Sequence, residues 1–356
     1  MRRLQDLKKK DIAGKTCLLR VDFNVESSRD ALRLTASLPT MMFLLKNGAR
    51  LLILSHRGRP RLIRLSGGQV SGQAKGVERK FSLKPFVAFL QKNLKEQVIF
   101  LTKPPSALPD NGKVFLLENL RFWPGEETNS QDFARHLSKL GNFYVNDAFA
   151  VSHRANASIT QLPKFLPSYA GLLLEKEIAT LSRVMIKPKK PLVMIFGGSK
   201  IQDKLPVIKN LMPKATKILL GSSVLNQSNS LPKSSKICGP VDWLEENGDA
   251  RDIGALTIKK YCSEIKKART VIWNGPVGLF ENKKYAGGSV ALAKCLANSS
   301  AGKRGLAGLV VVGGGETTQL VLKLNLQNKI GFLSTGGGAM LEFLAGKKLP
   351  GIEALK

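Results

Sequence analysis

Two apolar runs near the C-terminal end of this sequence each lead into three consecutive glycines and then into a helix-forming segment. The glycine triplets occupy residues 313–315 and 336–338, within the stretch 308–344. A strand, a glycine turn and a helix N-terminus in that order let backbone N–H groups approach an anion, and the helix dipole favours negative charge there. Turns between strands and helices also use glycine for purely structural reasons, so a single unit would leave both interpretations open. Two such units in succession favour a phosphate site in an α/β protein.

The length of 356 residues and the net charge of +30 limit the class of protein. A chain this long is expected to form two domains rather than one core. A positive field of this size attracts nucleic acid, anionic membranes or polyanionic metabolites without distinguishing among them. The lysines are scattered, and no zinc spacing, aromatic RNA-binding signature or basic heptad region gathers them into a binding element. Non-specific nucleic-acid binding therefore stays open as an alternative.

Cysteine spacing and hydropathy bear on the compartment. The four cysteines, Cys17, Cys238, Cys262 and Cys295, are far apart and form no CxxC pair. This pattern favours a reducing cytosol and argues against a disulfide framework or a metal knuckle. The N-terminal segment is basic without a following apolar region, and no run is long enough to cross a bilayer. We therefore expect a cytoplasmic protein.

In the first half of the chain, basic side chains follow predicted strands. Apolar runs at residues 16–24, 51–56, 114–121 and 143–149 predict strands, and residues 33–47 predict one amphipathic helix. Polar groups at the carboxyl ends of parallel strands gather around ligands. The basic residues near these ends, or at the start of that helix, are Arg33, His56, Arg59, Arg121 and Arg154. One such arginine is usually a structural ion pair, whereas several indicate a polyanion pocket, and arginine suits bidentate phosphate contacts.

Alternation within the first predicted strand adds three polar groups to this pocket. Arg20, Asp22 and Asn24 occupy every second position, so a strand over 16–24 would place them on one face.

In the second half, strands again lead into glycines. Residues 169–185 predict a long helix joining the halves, and residues 191–200 predict a strand followed by glycines. Lys200 and Lys204 are four apart, which places them on one helix face. Two polar stretches, 67–80 and 226–236, predict loops. The sequence has neither a Walker loop nor a GxGxxG fingerprint, so a nucleotide site here would be of another kind.

Eight motifs in order, spread nearly from end to end, resemble the phosphoglycerate kinase family. In the first half they are Arg20-Val-Asp-Phe-Asn-Val25, Ser55-His-Arg-Gly-Arg-Pro60, Leu117-Glu-Asn-Leu-Arg-Phe122, and Val145-Asn-Asp-Ala-Phe149 with His153-Arg-Ala155. In the second half they are Gly197-Gly-Ser-Lys200 with Asp203-Lys204, Trp273-Asn-Gly-Pro-Val-Gly278, Gly313-Gly-Gly-Glu-Thr317 and Ser334-Thr-Gly-Gly-Gly-Ala339.

This resemblance implies an α/β protein with two doubly wound, parallel-sheet (Rossmann-like) domains joined by a hinge helix. Residues 1–170 would bind the triose, 171–185 would form the linker helix, 186–340 would bind the nucleotide, and 341–356 would return towards the N-terminal domain. The implied activity is a glycolytic one, reversible phosphoryl transfer between 1,3-bisphosphoglycerate and ADP, giving 3-phosphoglycerate and ATP. It implies hinge bending and Mg²⁺ bound with ADP or ATP, and we expect a monomer. Such chemistry needs alignment and charge neutralisation, which lysines, arginines and backbone dipoles supply.

The resemblance also implies roles for individual residues. Asp22 and Asn24 would hold the hydroxyl and carboxyl end of the triose. The groups implied for its non-reacting phosphate are His56, Arg59, Arg121 and Arg154. Those implied for the transferred group are Arg33, Lys200 and the helix N-terminus at Gly336, Gly337 and Gly338. Those implied for the nucleotide are Lys200, Lys204, Asn274, Glu281, Gly314, Gly315, Glu316 and Thr317, with Glu316 meeting nucleotide-bound Mg²⁺.

Several positions depart from the family pattern. Glu316 replaces a customary aspartate, and an extra methylene matters for a small octahedral ion. The turn at residues 221–223 is Gly-Ser-Ser where the family has more glycine, and the following segment is shorter, so we expect fewer contacts to the base. Arg57 replaces a customary leucine and Asn156 a customary histidine. The alternatives to an active kinase are a basic nucleic-acid-binding protein on this fold and an inactive or altered-substrate relative.

Overall fold

The computed structural model describes residues 1–25, 32–60, 79–198, 200–223, 231–300 and 308–356. The chain divides into two compact units, which we call unit 1 (Met1–Ile178 with Lys348–Lys356) and unit 2 (Ala179–Lys347). Of the predicted loops, residues 67–78 and 226–230 lie outside the described residues, and residues 231–236 form neither helix nor strand.

Unit 1 contains a six-stranded sheet in the order β3-β4-β2-β1-β5-β6, in which every pairing is parallel. Its strands are β1 (Thr16–Arg20), β2 (Arg50–Leu54), β3 (Val98–Leu101), β4 (Val114–Leu117), β5 (Phe143–Asn146) and β6 (Ser168–Ala170). The inner strands read as continuous apolar runs because helices cover both faces of a parallel sheet. The order reverses between β1 and β5, so the crevice for a ligand is expected at their carboxyl ends.

The helices of unit 1 are α1 (Lys9–Ile12), α2 (Leu32–Ala36), α3 (Leu38–Lys46), α4 (Val87–Leu94), α5 (Pro124–Glu127), α6 (Gln131–Ser138), the first part of α7 (Leu172–Ile186) and, numbered last in the chain, α13 (Pro350–Glu353). The predicted single helix over 33–47 is wrong. It is divided into α2 and α3 because Pro39 lies in the first turn of α3, where its missing N–H costs nothing, and would break a longer helix.

The long helix predicted over 169–185 starts later than expected. Tyr169 lies in β6, which pairs with β5, and α7 begins at Leu172. The carboxylate of Asp147, just past β5, accepts hydrogen bonds from the N–H groups of Leu173 and Leu174. It thereby satisfies two of the free donors of the first helical turn.

Unit 2 contains a second six-stranded parallel sheet in the order β14-β13-β12-β7-β8-β9. Its strands are β7 (Leu192–Phe196), β8 (Lys217–Leu220), β9 (Ile237–Cys238), β12 (Thr270–Asn274), β13 (Leu309–Gly313) and β14 (Phe332–Leu333). An antiparallel hairpin, which the sequence analysis did not predict, joins β10 (Trp243–Glu246) to β11 (Asp249–Ile253). The strand order of the large sheet reverses between β7 and β12.

The helices of unit 2 are α8 (Leu205–Leu211), α9 (Ala255–Lys267), α10 (Gly287–Ser300), α11 (Gly315–Lys323) and α12 (Gly337–Leu344). Cys262 on α9 and Cys295 on α10 form a disulfide with Cα atoms 5.8 Å apart. The argument against a disulfide framework missed this pair, because sequence spacing does not reveal which helices are neighbours. Cys17 and Cys238 are free. Of the helices that the structure describes, none combines the length and apolar character needed to cross a membrane.

Candidate active site

In unit 1, Asp22 ties the loop after β1 to α2. Strand β1 ends at Arg20, so the prediction that Arg20, Asp22 and Asn24 share one strand face is wrong. Oδ1 of Asp22 accepts a hydrogen bond from the N–H of Asn24, which turns the backbone away from the sheet. Its Oδ2 lies 3.1 Å from a terminal nitrogen of Arg33, which also donates to the backbone oxygen of Asn24. The structure thus brings three predicted site residues together.

The loop that follows β2 joins this cluster through Gly58. The side-chain oxygen of Asn24 accepts a 2.8 Å hydrogen bond from the N–H of Gly58. The guanidinium of Arg121 donates to the backbone oxygen of Gly58, and its Nε lies 3.2 Å from Glu127. Arg121 is therefore fixed against the same loop that carries His56 and Arg59.

His56 is buried in the centre of this basic group. Burial lowers the pKa of His56 well below its usual range, and the charges of Arg20, Arg121, Arg33 and Arg154 lower it further. The imidazole is consequently neutral at physiological pH. It can contribute a hydrogen bond to an anion while the arginines contribute the charge.

The two remaining basic residues of unit 1 are less constrained. Arg154 is half-buried, and its Nε lies 3.4 Å from Nε2 of His153. Arg59 is exposed, and among the described residues no hydrogen bond or ion pair links it to the rest of the cluster.

In unit 2, the loops after β7 and β12 cross in contact. The N–H of Gly198 donates to the backbone oxygen of Pro276, and a Cβ on Gly197 would collide with that same oxygen. A Cβ on Gly275 would likewise collide with the backbone oxygen of Gly197. Only glycine allows this approach at the point where the strand order reverses.

The two glycine triplets of the sequence lie beside each other at the carboxyl ends of β13 and β14. A Cβ on Gly337, at the start of α12, would lie 3.4 Å from Cα of Gly314, at the start of α11. Gly314 has φ of +96°, which side-chain-bearing residues rarely adopt. A Cβ there would also lie 3.2 Å from Nδ2 of Asn274, a buried donor with no hydrogen-bond partner among the described residues.

Charged groups flank these turns. Lys204 is buried, and its Nζ donates a 2.8 Å hydrogen bond to the backbone oxygen of Lys200. Burial lowers its pKa, while the carboxylates of Asp203 and Glu316 act in the opposite direction. Lys200 and Glu316 are exposed. Thr317 is buried and accepts a hydrogen bond from the N–H of Gly275.

The other predicted nucleotide residue, Glu281, is exposed on the turn after β12. No hydrogen bond or ion pair within the described ranges connects it to Asn274. Gly336 and Gly338 flank Gly337 at the start of α12, and Gly315 opens α11.

Comparison with known proteins decides which family this arrangement represents. The family model described as phosphoglycerate kinase matches residues 5–231 and 222–347. The chain belongs to the phosphoglycerate kinase family. This confirms the family suggested by the eight sequence motifs.

Curated relatives agree over almost the whole chain. The phosphoglycerate kinase of Herpetosiphon aurantiacus is 36% identical over 405 aligned positions, covering 97% of this chain and 98% of the relative. That of Moorella thermoacetica is 37% identical over 405 positions, covering 98% of each. These alignments are longer than the 356 residues of this chain, which makes it a shortened phosphoglycerate kinase family member.

Solved phosphoglycerate kinase structures share the fold. The structure from Coxiella burnetii has a TM-score of 0.80 at 29% identity and covers 99% of this chain and 98% of its own. That from Pyrococcus horikoshii OT3 has a TM-score of 0.80 at 28% identity, covering 100% and 98%. The predicted α/β architecture of two doubly wound parallel-sheet domains is confirmed.

Two departures from the phosphoglycerate kinase pattern have structural roles in unit 1. Arg57 donates to the backbone oxygens of Val25 and Ser82 at 3.0 and 3.1 Å, and its guanidinium lies 5.2 Å from the ring centre of Phe86. Arg57 therefore connects the loop that carries His56 to the backbone at Val25 and at Ser82. Asn156 is buried and donates to the backbone oxygen of Glu126.

The Gly-Ser-Ser turn at residues 221–223 is held by hydrogen bonds from its two serines. The N–H of Ser222 donates to the backbone oxygen of Val277 at 2.9 Å, and the hydroxyl of Ser223 donates to that of Gly198 at 3.1 Å. These bonds tie the turn after β8 to the crossing loops.

Asn119 is a residue of the site region that the sequence analysis missed. Its side-chain oxygen accepts from the N–H groups of Arg57 and Arg121, and its amide donates to the backbone oxygens of Arg57 and Phe81. It thus holds the His56 loop and Arg121 in one register. The signal was present, because Asn119 lies in the polar end of a strand motif already noted.

Proposed function

We infer that this chain is a phosphoglycerate kinase, which transfers a phosphoryl group reversibly between 1,3-bisphosphoglycerate and ADP to give 3-phosphoglycerate and ATP. Family membership over nearly the full length supports this function. The observation that carries it is the arginine-lined pocket of unit 1, where a neutral His56 lies among four arginine charges. A site built from several arginines suits a small polyanion, because guanidinium groups match phosphate and carboxylate oxygens.

The triose would bind at the carboxyl ends of the strands of unit 1. We assign its non-reacting phosphate to Arg59, Arg121 and Arg154 with His56, since guanidinium groups match phosphate oxygens in pairs. Asn24 and Asp22 would receive the hydroxyl and carboxyl end. The Asp22–Arg33 contact of 3.1 Å supports this assignment, because it aims Arg33 into the same loop cluster.

The nucleotide would bind at the glycine turns of unit 2. Lys204 would contact the phosphates. Burial lowers its pKa, and a bound phosphate would stabilise the charged ammonium. The unpaired amide of Asn274 would donate to the ribose side or a phosphate oxygen. We assign the turn at Gly314, Gly315 and Thr317 to the phosphates, and keep Glu281 as a ribose contact.

The donor set of unit 2 fits Mg²⁺ only in company with nucleotide phosphates. No group of three or more metal-binding side chains occurs in the described part of the chain. Mg²⁺ is usually held by one or two carboxylates together with substrate phosphates, which matches the single exposed Glu316 at the first turn of α11. When bound, the ion would offset the negative charge of the nucleotide.

Catalysis requires these groups to stabilise charge on the transferred phosphoryl group. In the ATP-forming direction, a terminal phosphate oxygen of ADP forms a bond to the phosphorus of the acyl phosphate of 1,3-bisphosphoglycerate. The bond from that phosphorus to the carboxyl oxygen breaks, which leaves 3-phosphoglycerate. We assign Arg33, Lys200 and the N–H groups at Gly336, Gly337 and Gly338 to that phosphoryl group. Such preorganised donors account for most of the rate enhancement in phosphoryl transfer. Hinge bending, a monomeric state and a cytoplasmic location remain predictions.

A coupled assay of ATP formation from ADP and 1,3-bisphosphoglycerate tests this function. Arg154→Ala should raise KM for the triose, and Lys204→Ala should raise KM for ADP. No ATP formation by the folded chain would contradict the function.

The alternatives are tested beside it. Duplex DNA affinity measured over a range of salt concentrations would show a steep salt dependence if nucleic-acid binding were the main function. The comparisons lend no support to that alternative or to an inactive relative.

A further inference from the structure

Arg20, the last residue of β1, is a charged residue next to His56 to which no role has been assigned so far. Its side chain is 2% exposed, and it lies beside Glu126, which is 1% exposed. Burying two charges costs several kcal/mol per ion, and their attraction often does no more than offset this. Stability alone is therefore a weak reason for an ion pair at this position.

Arg20 is held in one orientation by three fixed partners. Its Nε donates a 2.8 Å hydrogen bond to the hydroxyl of Ser158, and one terminal nitrogen donates to the backbone oxygen of Val21. The other terminal nitrogen lies 3.7 Å from Oε1 of Glu126. That carboxylate in turn accepts from the hydroxyl and the N–H of Ser158, at 2.6 and 2.9 Å.

The terminal nitrogen facing Glu126 also lies 3.3 Å from Nδ1 of His56. A guanidinium has only donors, so at this distance Nδ1 must be the acceptor. The nearest carboxylate oxygen, Oδ1 of Asp22, is 3.8 Å from Nδ1, beyond hydrogen-bonding distance. The proton of the neutral ring then resides on Nε2.

We propose that Arg20 is a positioning residue that holds His56 as the neutral tautomer protonated on Nε2, so that the ring donates a hydrogen bond to the triose phosphate. The last step rests on the proposed function, whereas the tautomer does not. Glu126 balances the charge of Arg20.

The charged groups around His56 agree with this assignment. They include Arg20 on β1, Asp22 after β1, Arg33 on α2, Arg121 after β4 and Arg154 after β5. Three carboxylates lie beside these arginines, and each is engaged by one of them: Asp22 by Arg33, Glu126 by Arg20 and Glu127 by Arg121. The arginine charges therefore disfavour protonation of the ring, and the neutral ring can act as a hydrogen-bond donor through Nε2.

The tautomer can be read directly by ¹⁵N NMR of histidine-labelled, substrate-free protein, because the sequence contains three histidines. The spectrum of the unmodified chain should show His56 with a proton on Nε2 and an accepting Nδ1, unchanged from mildly acid to mildly alkaline pH. A proton on Nδ1, or titration near the ordinary histidine pKa of about 6.5, would overturn the proposal.

A double variant, Arg20→Met with Glu126→Gln, removes the donor without leaving an unpaired buried charge. We expect its His56 to populate both tautomers, and KM for the triose to rise roughly ten-fold or more with a smaller change in kcat. Glu126→Gln alone keeps the Arg20 donor and should keep the Nε2 proton. An unchanged tautomer and unchanged KM in the double variant would contradict the role of Arg20. Failure of the ATP assay with the predicted tautomer present would instead contradict the proposed function.

Discussion

The hydroxyl oxygen of Thr317, in the first turn of α11, accepts a 2.9 Å hydrogen bond from the backbone N–H of Gly275, in the turn after β12. This bond joins the helix that follows one glycine triplet to the loop that crosses Gly197. The phosphate-binding turns proposed for unit 2 are thus held in register by a side chain whose own hydroxyl is buried.

Replacing Thr317 by valine should weaken nucleotide binding. The N–H of the half-buried Gly275 would lose its acceptor, and a donor left unsatisfied out of water costs about 1–3 kcal/mol. We expect Thr317→Val to raise KM for ADP by roughly ten-fold, while Thr317→Ser, which keeps the oxygen, stays close to the parent. Steady-state kinetics at varied ADP would measure this. Equal effects of valine and serine would rule out the hydrogen bond as the cause.

Glu316 should govern the Mg²⁺ requirement. Glu316→Gln should raise the Mg²⁺ concentration needed for half-maximal rate and depress turnover, while Glu316→Asp remains active, because a carboxylate suits this ion better than an amide. The competing explanation is that Glu316 only stabilises the N-terminus of α11, where acidic residues are favoured. In that case both variants would follow the Mg²⁺ curve of the parent and differ only in stability.

The buried carboxyl of Asp147 should make stability depend on pH. Burial raises its pKa to about 7. Hydrogen bonds from the hydroxyl of Thr40 and the N–H groups of Leu173 and Leu174 favour the charged form and only partly offset this effect. Because the folded pKa lies above the unfolded value, the stability contributed by the protonated group is complete below about pH 4 and is lost as pH rises through about 7.

Asp147→Asn isolates this contribution, because the amide oxygen can still accept from the start of α7. As pH rises from about 4 to about 7, the unfolding free energy of the variant should increase relative to that of the parent, by roughly 4 kcal/mol. Urea unfolding across that range measures the difference. A difference independent of pH would show that Asp147 titrates normally.

The Cys262–Cys295 disulfide should stabilise the oxidised protein. The pair is separated by 33 residues, and closing a loop of this length removes unfolded-state entropy equivalent to about 3–4 kcal/mol. Cys295→Ala should lower the unfolding free energy by about that amount in non-reducing buffer. The matched control is Cys238→Ala, which removes a free thiol. A parent protein whose stability does not respond to reductant would contradict the pairing.

Local sequence patterns predicted the parts of this fold that depend on near neighbours. The parallel strands could be predicted because fully buried strands are continuous apolar runs. The glycine triplets could be predicted as functional turns because close backbone approach and positive φ require glycine. The break at Pro39 and the hairpin turn at Asn247–Gly248 also had local signals. An Asn-Gly pair with positive φ at both residues is the usual mark of a two-residue hairpin, and it was overlooked.

Features that depend on distant parts of the chain could not be predicted. The disulfide requires knowing that α9 and α10 pack together, and the Arg20–Glu126 pair joins residues from separate elements. The end of β1 at Arg20 was missed because no proline or glycine marks it. Instead, the side chain of Asp22 accepts a hydrogen bond from the N–H of Asn24 and turns the backbone away from the sheet. Assignment of the arginines to phosphate still rests on the family resemblance and on their grouping around His56.

Turnover of Arg33→Ala in the ATP-forming direction, at saturating ADP and 1,3-bisphosphoglycerate, tests the central claim most directly. If Arg33 neutralises the transferred phosphoryl group, its loss should lower kcat by about 10²–10³ with a smaller effect on KM for the triose. Arg121→Ala, assigned to the non-reacting phosphate, should instead act mainly through KM. Near-normal kcat for Arg33→Ala would contradict the account.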